Sequence, residues 1–147
     1  MLVALVGLAA VALPALGRGG SPDRRGAGPD ITVSWPEPQH STRAVRLEIE
    51  CRSDCSVRVK GKLAIPRAEN PTTGVVTRPR DARLKPVSER LEARREEKLR
   101  LRIPRKARPS LDNAFAAGEV SEARIKVSHS DAVGRSRVRA KIELQAP

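Results

Sequence analysis

Two cysteines four positions apart, Cys51 and Cys55, are the residues of this 147-residue chain best placed for specific chemistry. Three chemistries use such a pair. A redox couple favours CxxC spacing beside a thioredoxin-like βαβ unit, and the sequence has neither. A zinc site takes four ligands, and His40 and His129, the two histidines, would have to join the thiols from far along the chain. A structural disulfide asks for less. The flanking strands put both side chains on one face, and a hairpin with Arg52-Ser53-Asp54 as its connection sets them opposite each other, within the Cα separation a bridge tolerates. The disulfide is therefore the reading adopted. Closing so small a loop contributes about 2 kcal/mol on the chain-entropy model and mainly fixes the register.

Other reactive types are present without a reactive arrangement. Ser128, His129 and Asp131 have the composition of a hydrolase trio, but neighbours on a strand alternate faces and the GxSxG elbow is missing. His129 reads as a rim histidine satisfied by backbone. Glu96 and Glu97 fall in a charged turn, and Glu48 and Glu50 share an exposed face with Arg46 and Arg52, where cross-strand pairing accounts for them. With no phosphate-binding glycine loop and no metal-ligand cluster, the expectation is a non-enzymatic protein without catalytic residues, metal or cofactor.

Charge is the remaining functional signal. The chain carries 29 basic and 17 acidic residues, a net +12. Arg58, Lys60, Lys62, Arg100, Arg102, Arg137, Arg139 and Lys141 each alternate with apolar residues, so on outward rungs of adjoining strands they would form a surface attractive to polyanions. Trp35 and Phe115 are the only aromatics, which leaves no platform for stacking bases and disfavours nucleic acid. The expectation is an accessory interaction module of the cell envelope whose partner is an unidentified protein or an envelope polymer, with membrane contact only through an uncleaved N-terminal segment; the alternative is a cationic surface protein adhering to anionic envelope polymers or lipid head groups. The competing reading is a solvated surface that resists aggregation.

The elements that must carry these residues follow from period-two alternation. Val45, Leu47, Ile49 and Cys51 share one face of a strand; Cys55, Val57, Val59, Leu63 and Ile65 share one face of the next. Leu99, Leu101 and Ile103, then Ile125 and Val127, and finally Val138, Ala140, Ile142 and Leu144 repeat the pattern. The turn "SDAVG" offers Gly134 a positive φ. Weaker strands are expected at Ile31 to Trp35 and at Ala82 to Leu91, where Pro86 indicates an edge. A short helix is predicted with Ser110 as N-cap, Leu111, Ala114 and Phe115 on its buried face, and Gly118 as its stop. About seven short strands with one crossover helix give an all-β, two-sheet antiparallel sandwich over residues 31–147.

Ahead of it, "MLVALVGLAAVALPALG" has no charge, matches a signal-peptide core in length and is shorter than the roughly 20 residues of a membrane-spanning helix. Residues 1–17 are expected to be a signal peptide cleaved after Gly17, with residues 18–30 a flexible linker; the alternative is an uncleaved anchor formed by 2–16. The compartment expected is extracytoplasmic, secreted or in the cell envelope.

The order of features is a strand ending in Cys, the segment "CRSDCSVRVKGKL", the charged "ARREEKLRLRIPRKAR", a short Ala-rich helix and the hairpin "ARIKVSHSDAVGRSRVRAKIEL". It resembles the short immunoglobulin-like or fibronectin-III-like modules of exported bacterial proteins, over Arg43 to Leu144. The resemblance implies a sandwich in an accessory role and no catalytic residues. Two departures from it are the Pro-rich insert from Pro66 to Asp81 and a helix shorter and less basic than usual. With no Tyr there is also no tyrosine corner.

Overall fold

Alternation in the sequence becomes alternation in burial. Along Ala44–Cys51 the side chains of Val45, Leu47, Ile49 and Cys51 are buried, and along Arg135–Gln145 those of Val138, Ala140, Ile142 and Leu144 are buried, with Lys and Arg turned outward. A computed structural model describes residues 30–147 and the backbone of 23–28. The expected signal peptide lies outside the described residues. In chain order the elements are β1 (Asp23–Gly28), β2 (Ile31–Pro36), β3 (Gln39–His40), β4 (Ala44–Cys51), β5 (Cys55–Ile65), β6 (Ala68–Glu69) and β7 (Val76–Thr77). There follow β8 (Arg80–Arg83), β9 (Val87–Leu91), β10 (Glu96–Arg102), α1 (Arg108–Ala116), β11 (Ser121–Ser130) and β12 (Arg135–Gln145).

One sheet has the order β1-β2-β4-β10; the other runs β3-β12-β11-β5-β8, with β9 also on β5. All these pairings are antiparallel except the two-residue β3–β12 ladder. The chain changes sheets between β4 and β5, between β9 and β10, and between β10 and β11 through α1, and β3 is a short excursion to the second sheet between β2 and β4. With β4 and β10 facing β5, β11 and β12, this is the immunoglobulin-like sandwich. Its core is aliphatic: Leu47, Ile49 and Leu101 from one sheet meet Val59, Leu63, Val127 and Ile142 from the other.

Several expectations are corrected. Cys51 and Cys55 do not flank a hairpin, because β4 pairs with β2 and β10 whereas β5 pairs with β11, β8 and β9. Arg52-Ser53-Asp54 is an arch between sheets. Both strands still point their cysteines inward, which is why parity alone could not separate the two cases. Residues 23–28, in the stretch read as a linker, form the edge strand β1 along the whole of β2. Glu96 and Glu97 open β10, opposite Glu50 and Ile49, and are not in a turn.

The helix starts earlier than Ser110. A 3-10 turn at Arg105–Ala107 leads into it, Ala107 is the N-cap, and Pro109 occupies its first turn, where a missing N–H costs nothing. Its end is as expected: Gly118 has φ 75°, its N–H donates to Phe115, and Glu119 N–H donates to Ala114, a Schellman closure. Leu111 and Phe115 are buried in the core. Gly134, by contrast, keeps an ordinary φ. Asp131 shapes that turn, its Oδ1 accepting from the N–H groups of Val133 (2.8 Å) and Gly134 (2.9 Å).

The edge expected at Pro86 is present and interrupted. Lys62 opposes Arg83 and Val59 opposes Val87, so the strand opposite β5 has one extra residue around Pro86. There Lys85 N–H turns away and donates to the Arg102 carbonyl of the facing sheet. The Pro66–Asp81 insert folds back as the β6–β7 ladder and docks on α1 through Asn113.

Candidate polyanion surface and the disulfide pocket

Register decides which basic residues meet. On the outer face of the six-stranded sheet, Lys126 stands opposite Lys60 on one side and Arg139 on the other. Two residues along, Arg124 stands between Lys62 and Lys141, and Lys62 opposes Arg83. In the other direction lie two mixed rows, Ser88-Arg58-Ser128-Arg137 and Arg90-Ser56-Ser130-Arg135. Acids on outward rungs of this face gather at its far end, as Asp81, Glu122 and Glu143. Glu122 takes a 2.8 Å hydrogen bond from Arg124 Nε, which holds that guanidinium all the more firmly protonated.

Six of the eight basic residues singled out in the sequence, Arg58, Lys60, Lys62, Arg137, Arg139 and Lys141, share this face. Arg100 and Arg102 do not: they lie on β10 in the opposite sheet, opposite Arg46 and Ala44. That sheet's outer face mixes signs, with Lys98 3.8 Å from Glu48, as expected for the Glu48 side chain. Arg83, Arg90, Arg124, Lys126 and Arg135 join those six on the outer face of the six-stranded sheet, placed there by strand pairing. Arg124 and Lys126 could have been found from their alternation with Ile125 and Val127, but the strand neighbours of β11 were not legible.

The mixed rows have relief. Serine side chains are short, and they line an open groove of about 920 Å³ together with Arg58, Arg90, Arg135, Arg137 and one acid, Glu89. A second hollow of about 550 Å³, where Pro86 interrupts the edge, is lined by Lys60, Lys62, Arg83, Arg124 and Lys126 together with Asp81. Arg58 borders both. Hydroxyls and guanidinium N–H groups together present donors to an anion, and Arg can do so bidentately.

At the arch, Cys51 and Cys55 form a disulfide with Cα atoms 6.3 Å apart. Both are buried, so the bridge is an inter-sheet staple inside the sandwich. His129 points into the same pocket and is 3 % exposed. It is not satisfied by backbone, as a rim residue would be. Nδ1 lies 3.1 Å from Ser136 Oγ, and Nε2 lies 3.4 Å from Asp131 Oδ2 without forming a hydrogen bond. Hydrogen bonds from Gly134 and then Val133 hold the Asp131 carboxyl below its usual range. Ser128 faces outward, opposite Arg58 and Arg137, so it makes no trio with His129. His40 is elsewhere, its Nδ1 2.6 Å from the Ala146 carbonyl.

Fold and surface together define an immunoglobulin-like sandwich with one strongly basic face. No protein-family model matches the chain, and no curated protein matches it. Among solved structures, the ASH / PapD-like domain of human CEP192 (PapD-like domain 7) is similar to it over 98% of both chains, at 14% identity and a TM-score of 0.43. Among the described residues, no helix is long and apolar enough to cross a membrane.

Proposed function

We propose that this protein is an interaction module of the cell envelope that docks anionic polymers on the outer face of its six-stranded sheet. The observation that carries this reading is the pair of rows Lys60-Lys126-Arg139 and Lys62-Arg124-Lys141, where cations stand directly opposite cations with no acid in either row. Like charges opposite one another destabilise a sheet. The outer face of the other sheet carries both signs, with Lys98 opposite Glu48, Arg100 opposite Arg46 and Glu96 opposite Glu50, whereas these two rows carry one sign only. The serine-lined groove adds donors where a phosphate or carboxylate of the polymer would seat. The uncharged residues 1–17 favour an exported chain, and the absence of an aromatic platform disfavours single-stranded nucleic acid.

Binding of the purified chain to a soluble polyphosphate across a salt series tests this reading. Binding at physiological ionic strength is expected, with affinity falling as log salt rises. Absence of binding there refutes it. Vesicles carrying anionic lipid form the second arm, and binding to vesicles with none to polymer would reassign the partner to a membrane surface.

A further inference from the structure

The pocket at the arch gathers more than a structural bridge requires. Sγ of Cys51, Sγ of Cys55 and a ring nitrogen of His129 lie within 4.8 Å of one another, and all three residues are buried. Ser136 Oγ is beside Nδ1, which leaves Nε2, a buried nitrogen with no hydrogen-bond partner. A nitrogen so placed costs free energy unless something engages it. Next to it is a carboxylate oxygen, Asp131 Oδ2 at 3.4 Å, which accepts from Ser53 Oγ and stands outside that group of three ligand atoms.

We propose that reduction of the Cys51–Cys55 bridge turns this pocket into a zinc site, with the two thiolates, His129 and Asp131 as its ligands. Tetrahedral zinc holds nitrogen and oxygen at about 2.0–2.2 Å, which separates those two ligands by about 3.3 Å, close to the spacing already present. Thiolate and imidazole donors select zinc over magnesium or calcium. Ser136 takes the second-sphere place, orienting the imidazole through the nitrogen that does not bind metal. Parting of the two strand ends would act on the exposed arch, where Arg52 N–H donates to the Asp30 carbonyl, Ser53 Oγ donates to Asp131 Oδ2 and Asp54 Oδ1 accepts from Ala93 N–H.

The chemistry balances with a dithiol as reductant. The S–S bond breaks, two electrons and two protons enter, and the reductant leaves as its own disulfide. Zn²⁺ then displaces both thiol protons, so uptake releases two protons to solvent. Either form ties β4 to β5, covalently in oxidising surroundings and through the metal in reducing ones.

Zinc uptake by the purified full chain, measured before and after dithiol reduction and anaerobic removal of the reductant, tests the proposal. The oxidised chain is expected to bind none and the reduced chain one equivalent. Zinc-edge X-ray absorption of the loaded chain should find two sulfur and two lighter neighbours, and Co²⁺ in its place should give the intense visible bands of a tetrahedral thiolate site. His129→Gln and Asp131→Asn should each weaken zinc binding by about tenfold or more. Less than one equivalent taken up by the reduced chain, whether or not circular dichroism shows its sheets intact, overturns the proposal. So does a first shell without two sulfurs and two lighter atoms, or a His129→Gln chain that binds as tightly as the original.

Discussion

Lys126 stands directly opposite Lys60 on the outer face of the six-stranded sheet, between strands whose inward residues Val127 and Val59 are fully buried. The two facts are linked. A half-buried strand has one face free to vary, and here that face repeats positive charge across β5, β11 and β12 while the inner face supplies the core.

Leu101 and Arg102 test the sandwich at adjacent residues. Leu101 is fully buried opposite Val45, and Arg102 points to solvent. Leu101→Ala should cost about 2–5 kcal/mol in chemical denaturation, whereas Arg102→Ala should stay within about 0.5 kcal/mol, since alanine keeps the carbonyl that Lys85 uses. Equal costs would contradict the assignment of faces.

Gly61 is the missing inward rung of β5. A Cβ there would lie 2.5 Å from Ile125 Cδ1 and 2.9 Å from Leu84 Cδ1, with the Arg124 carbonyl oxygen at 3.2 Å. Gly61→Ala should therefore destabilise by about 1–3 kcal/mol through overpacking. Ile125→Val removes the nearest of those atoms, so the double variant should lose less than the two single losses combined. Full additivity in denaturation midpoints would contradict this contact.

Asn113 secures the insert. Its Nδ2 lies within 3.3 Å of the Ala68 carbonyl, the Val75 carbonyl and Thr77 Oγ1. Asn113→Ala should cost about 1–3 kcal/mol and expose residues 66–81 to limited proteolysis, while the exposed neighbour Asp112→Ala should do neither. Unchanged cleavage of the insert in Asn113→Ala would show that other contacts hold it.

Much of this was legible from periodicity, and the limits of periodicity mark what was not. Inward residues of β4, β5, β11 and β12 could be read one strand at a time, because parity is local. Pairing is not local. A three-residue connection after Cys51 serves a hairpin or an arch equally well, and the choice fell to β2 and β10, which occupy both sides of β4. The same blindness placed Arg100 and Arg102 with Arg58 and Arg137, since outward parity does not say which sheet a residue leaves. His129 shares the inward phase of Ile125 and Val127 along β11. Its neighbours Ser136 and Asp131 come from the following strand and turn, Cys55 from the adjoining strand β5 and Cys51 from the facing sheet, so none followed from that phase.

Binding by one face is separable from binding by net charge. Arg137, Arg139 and Lys141 occupy alternate residues of β12 on the proposed face, about 7 Å apart along the strand. Arg46, Arg100 and Arg102 lie on the opposite sheet. Changing either trio to Ser removes the same three charges, and neither should move the melting temperature much, because exposed charges contribute little to folding. Polyphosphate affinity measured for both variants across a salt series is the most direct test. Loss of Arg137, Arg139 and Lys141 should weaken binding and lower the salt slope by up to about three, while loss of Arg46, Arg100 and Arg102 should leave both close to the original; equal weakening in the two variants would show that net charge, and not this face, carries the binding.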